Sequence, residues 1–145
     1  MNFTIVGLKE GFAKITKKRL ETNLPKKVMK HMRRSGLLIE NEAKKAIQQG
    51  TKSGRIYKRR SVEHQASSAG ESPASDTGFL VSNISSEQPY KLGKDVFVEI
   101  ISKAPYSKDL EFGTRNMSAR PFMQPATEKA KAKIRRIFKS ESLIK

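Results

Sequence analysis

The sequence predicts an α+β fold: a small, mainly antiparallel β-sheet packed against one long α-helix and a C-terminal α-helix, with a mobile basic loop or hairpin arm. Apolar residues recur at alternating steps of four and three from Val28 to Ile47, the period of a long amphipathic helix. From Asp95 to Ser102 apolarity is almost continuous, as in a strand at the centre of a sheet. Helical and strand-like stretches are segregated along the chain, whereas a parallel sheet needs them to alternate.

The elements follow in order. Asn2 to Val6 alternates Phe3 and Ile5 with polar neighbours, which suits a short edge strand. Leu8, Phe12 and Ile15 mark a first helix ending near Asn23, since Pro25 follows Leu24. Pro25 suits the first position of the long helix, whose stripe is Val28, Met32, Gly36, Ile39, Ala43 and Ile47 and whose stop is Gly50. Gly36, in its interior, marks a close approach or a bend. Residues 50–75, rich in serine and glycine, form the expected arm, with Lys52, Arg55, Lys58, Arg59 and Arg60 around Ile56 and Tyr57. Asp76 or Ser75 caps a short helix starting near Thr77, with Leu80 and Ile84 inward. A hairpin comes next: Ile84 to Tyr90 enters, Lys91 to Lys94 turns with Gly93, and Asp95 to Ser102 returns. Tyr106 and Leu110 are spaced to point one helical turn at the core, with Phe112 beside them and Gly113 as the stop. Pro121 or Pro125 opens the last helix, anchored by Phe122 and Met123, with Ala126, Ala130, Ile134 and Ile137 or Phe138 on its apolar side. The tail from residue 139 is expected to fray, within a single domain spanning 1–145.

The formal charge of +16 is unevenly spread. Residues 7–34 carry ten positive and two negative charges, 50–64 five and one, and 128–145 seven and two, against six and seven in 65–125. A basic excess of this kind favours polyanions or acidic proteins as partners. With no cysteine, disulfides, thiolate zinc sites and cysteine nucleophiles are excluded. No apolar run approaches membrane-spanning length. The two histidines, His31 and His64, have no partners in sequence for a metal site, and the carboxylates Glu71, Asp76, Glu99, Asp109 and Glu111 fall on separate elements. No catalytic residue, cofactor or metal site is therefore expected.

Two blocks stand out as sequence motifs. The first is SGRIY at Ser53–Tyr57, followed by HQASSAGESP from His64 to Pro73 and DTGFLVSNI from Asp76 to Ile84. The second is EFGT at Glu111–Thr114, then ARPF at Ala119–Phe122 and PA at Pro125–Ala126. In this order and spacing, over roughly residues 53–138, the chain resembles the tailed-bacteriophage head-tail joining or tail-completion family of neck proteins, also known as the tail-component family. One departure is Ala69, where the family usually has proline before the glycine of the GE pair.

The resemblance implies a structural, non-enzymatic subunit of the phage neck, working as one copy in an oligomeric ring. The partners it implies are other neck, connector and tail proteins, with nonspecific DNA contact in the lumen and no membrane. It further implies the virion as the final location and the host cytoplasm during assembly. The alternative is a basic nucleic-acid-binding protein, such as a phage regulator or packaging factor. Tyr106, Leu110, Glu111, Phe112, Gly113, Thr114, Arg120, Pro121, Phe122, Pro125, Asp76, Thr77 and Gly78 are the expected structural signature. Lys52, Arg55, Lys58, Arg59 and Arg60 are the expected contacts to partner or DNA. Glu111 and Arg120, at the two ends of one loop, are expected to form an ion pair.

Overall fold

The computed structural model describes residues 2–5, 24–93 and 95–140. Strand β1 (Asn2–Ile5) is followed by helix α1 (Leu24–Gln49), strands β2 (Ile56–Arg59) and β3 (Val62–Gln65), helix α2 (Phe79–Ser82), strands β4 (Ile84–Ser86), β5 (Tyr90–Leu92) and β6 (Asp95–Ser102), and helices α3 (Ser107–Phe112) and α4 (Met123–Ser140). The fold is α+β with two small antiparallel sheets, as the segregated pattern predicts. The helix expected from Leu8 to Asn23 and the chain end at 141–145 lie outside the described residues.

Strand β6 holds the larger sheet together. β1 pairs along one side of it, Asn2 opposite Ile101, while β4 and β5 pair along the other, Ile84 opposite Ser102 and Tyr90 opposite Phe97. Between Ser86 and Tyr90 the register slips by one, so that Gln88 and Pro89 together oppose Val98. Proline has no amide hydrogen for the ladder, and the extra residue makes a bulge there. The expected entering strand is thus two short strands, and Lys91 and Leu92 are paired instead of turning. On β6, Val98, Ile100 and Ser102 are buried, while Phe97, Glu99 and Ile101 on the other face are half-buried.

The long helix runs as its spacing predicts, with Pro25 as its second residue. Met32, Gly36, Ile39, Ala43 and Ile47 are buried, and Gly50 N–H closes on Ala46 O at 3.1 Å. A Cβ at Gly36 would stand 2.2 Å from Ser86 Oγ and 2.8 Å from Val98 Cγ2, so glycine is what lets α1 lie this close to β4 and β6. Helix α4 packs beside α1 in the opposite direction, with Phe138 against His31 near one end (ring centroids 5.4 Å apart) and Ala126 and Ala130 in the core shared with Ile39, Ala43 and Ile47 near the other. Phe122, fully buried, closes that core. Burying such side chains contributes about 1.5–3 kcal/mol each.

Two local expectations are corrected. Helix α2 begins at Phe79 with Gly78 as its cap, not at Thr77 under Ser75 or Asp76, because Asp76 is engaged elsewhere. Tyr106 and Phe112, expected in the core, are 40% and 63% exposed, and only Leu110 of that trio packs inward. Helix α3 is a short surface turn whose buried residues are Ser107 and Glu111, with Ser107 and Ser102 joined through their hydroxyls.

Candidate docking surface

The stretch from α3 into α4 is organised by Glu111. A helix start leaves amide hydrogens without internal acceptors, and an apolar surrounding makes that costly. Glu111, 5% exposed, supplies the acceptors: Oε2 receives Phe122 N–H at 2.8 Å and Met123 N–H at 3.0 Å, and Oε1 receives Gln124 N–H at 2.9 Å. The negative carboxylate also faces the positive end of the α4 dipole. The expected Glu111–Arg120 ion pair is therefore absent. Arg120 instead donates from Nε to Ser67 O at 3.2 Å and from Nη1 to Ser118 O at 3.4 Å, and its amide donates to Leu110 O at 2.7 Å.

Gly113 turns the chain from α3 into this loop with φ +76° and ψ 176°, a conformation essentially restricted to glycine and different from the left-handed helical one expected. Thr114 and Met117 then bridge the loop by mutual backbone bonds. Pro121 precedes α4 and Pro125 lies in its first turn, where a missing amide hydrogen is harmless.

The first sequence block meets the second here. Strands β2 and β3 form a hairpin, Ile56 opposite Gln65, and its base is stapled by Glu71. That carboxylate accepts Ser53 Oγ–H at 2.6 Å, Ser53 N–H at 3.0 Å and Ser68 N–H at 2.8 Å. The Ser53 hydroxyl, then the Ser68 and Ser53 amides, hold its pKa below the ordinary carboxylate range. Gly70 N–H donates to Ala119 O at 2.9 Å, which ties the GE pair directly to ARPF. Above this junction the hairpin leans over a groove of about 380 Å³ lined by Tyr57, Arg59, Pro73, Phe79, Tyr106 and Arg120 among others. Arg59 pairs with Asp76, which also has His64 Nε2 at 3.5 Å, and the exposed rings of Phe79 and Tyr106 lie 6.2 Å apart at its edge. Thr77 Oγ1 accepts Phe79 N–H at 3.3 Å.

The basic residues of the arm separate into two kinds. Lys52 is half-buried and ties the hairpin base down, donating to Ser72 O at 2.6 Å and Ala46 O at 3.2 Å; burial lowers its pKa. Arg59 is committed to Asp76, while Arg55, Lys58 and Arg60 are exposed and face outward. The sequence reading missed Glu71 as a staple, although its place after two glycine- and serine-rich turns was a usable signal for a carboxylate that accepts hydroxyls and amides. Among the described residues, no group of three or more His, Cys, Asp and Glu side chains is placed to hold a metal, and no helix is long and apolar enough to cross a membrane.

A family model described as "Bacteriophage HK97-gp10, putative tail-component" matches residues 12–113. The match takes in the whole first motif block and the EFG residues; it begins before the region that carries the motif resemblance and ends short of ARPF. No curated protein and no solved structure matches the chain.

Proposed function

Because the chain belongs to the bacteriophage HK97-gp10 tail-component family, we propose that it is a structural subunit of the phage neck, acting in head-tail joining or tail completion as one copy of an oligomeric ring. The observation that carries this reading is the family match over more than two thirds of the chain. The arrangement of the two motif blocks supports it. They converge on a rigid junction made by Glu71, Glu111 and Arg120, and the junction leaves the hairpin and the Phe79–Tyr106 edge facing outward. Rigid junctions that present aromatic side chains and a projecting hairpin suit assembly contacts, in which exposed aromatic rings are the usual anchors.

In this reading the core and its junction set the subunit's shape, while the outward face of the hairpin, with Ile56, Lys58 and Arg60, meets a neighbouring subunit or tail protein. Electron microscopy of particles from a phage lacking this gene tests it. Separate filled heads and finished tails are the expected products. Intact, infectious particles would overturn the proposal.

A further inference from the structure

Helices α1 and α4 together present a second basic surface. Lys27, Lys30 and Lys45 fall on one face of α1, and Lys129, Lys133 and Arg136, at steps of four and three, on one face of α4; all six are exposed. The two faces are continuous, because Lys133 Nζ reaches Glu42 Oε1 of α1 at 2.7 Å. Glu42 is held below the ordinary carboxylate range first by that bond, with the charges of Lys133, Lys45 and Lys129 adding, as expected for groups that share one surface. The other acids of the two helices point elsewhere: Glu40 accepts Ser86 N–H at 2.8 Å beside the sheet, and Glu128 pairs with Lys131.

We propose that this shared face of α1 and α4 binds the phosphate backbone of duplex DNA without reading its sequence. Stable protein interfaces concentrate aromatic and apolar anchors and are poor in lysine. This face is the reverse, since of the eight large apolar residues exposed among the described residues only Leu37 lies on either helix. Lysines and arginines spread along a rod match a repeating row of phosphates. Lys27 to Lys45 spans about 27 Å of helix, the length of about 8 base-pair steps. The inference goes beyond the neck proposal and does not depend on it. It assigns DNA contact to the helix pair and not to Lys52, Arg55, Lys58, Arg59 and Arg60 of the arm.

Fluorescence anisotropy of a random-sequence duplex of about 20 base pairs, titrated with the full chain between about 50 and 200 mM salt, counts the contacts, since each phosphate neutralised adds about −0.9 to the slope of log K against log salt. Six contacts give a slope of about −5. The variant Lys27→Gln/Lys30→Gln/Lys129→Gln/Arg136→Gln should flatten that slope by about 3–4 and weaken binding at least about tenfold at intermediate salt. The control Arg55→Gln/Lys58→Gln/Arg60→Gln should leave the slope nearly unchanged. A flattening confined to the hairpin control, or no binding by the wild type, would overturn the proposal. So would competition by polyglutamate as effective, per charge, as unlabelled duplex, which would point to an acidic protein instead. Should the helix variant fail to fold, acetylation of wild-type protein with and without duplex serves in its place. Protection of Lys27, Lys30, Lys45 and Lys129 supports the proposal, and protection of Lys58 alone refutes it.

Discussion

At Glu111 one side chain closes the start of α4 by accepting three amide hydrogens that the first helical turn cannot pair. Glu111→Ala should cost about 1–3 kcal/mol, read as a lower denaturant midpoint at unchanged slope, and Glu111→Gln less, since one amide oxygen still accepts. An unchanged midpoint for Glu111→Ala would refute the capping role. The sequence placed Glu111 at the right junction but gave it Arg120 as partner, because side-chain patterns show charged groups and hide the backbone amides that compete for them. Glu71 gives a pH dependence. Its folded pKa lies below that of the unfolded chain, so its contribution is complete above the unfolded value of about 4.3 and is lost as pH falls through the folded one. Amide resonances of Ser53 and Ser68 should titrate with a shared midpoint below the ordinary carboxylate value, and the titration should vanish in Glu71→Gln. A midpoint at or above the ordinary carboxylate value would show that the staple does not form in solution.

The hairpin carries its own strain at the tip. Arg60 and Ser61 have φ of +49° and +66°, a two-residue turn in which Asn-Gly is the favoured pair. Arg60→Asn with Ser61→Gly should therefore stabilise the hairpin by about 1 kcal/mol, seen as slower amide exchange across Ile56–Gln65. Unchanged or faster exchange would show that the tip is unstrained. The arm from Lys52 to Ser72 is expected to be mobile in the free subunit and ordered on assembly. The bonds at its base limit this: Gly54 N–H to Ala66 O, Ala66 N–H to Arg55 O and Gly70 N–H to Ala119 O should exchange slowly, and the strands beyond them fast. Strong protection throughout would defeat the idea. How much of each element the sequence revealed depends on length. Helices α1 and α4 repeat their apolar period over many turns, and both are found where the spacing puts them. Helix α2 and strand β5 span only 4 and 3 residues, too short for a period, so single contacts decide them. Asp76 left its capping position for Arg59, and only Pro89, inside an otherwise continuous strand pattern, signalled the break between β4 and β5.

For the whole molecule, the distribution of charge leads to an expectation about association. The neutral balance of residues 65–125 contrasts with the cationic helices and arm, so several copies of a +16 chain brought into a ring place like charges within reach of one another. At physiological ionic strength the Debye length is about 8 Å, so in such a ring repulsion would act between basic faces brought close together and little between distant ones. Among the described residues the acid on this shared face is Glu42, which is already bonded to Lys133, so the face keeps a basic excess unless a polyanion covers it. The purified chain should therefore be monomeric at ordinary salt, with ring closure driven by an acidic partner surface, by DNA, or by screening. A partner that binds only the closed ring stabilises it in proportion to its own affinity, which would couple assembly to docking at the correct place. Sedimentation velocity across a salt series decides the matter. Monomer at low salt, with larger species appearing on addition of duplex or at high salt, is the expected result. A stable ring at low salt and about micromolar concentration, without partner or nucleic acid, would show that the neutral segment supplies an interface strong enough to override the repulsion, and assembly would then not be controlled by charge.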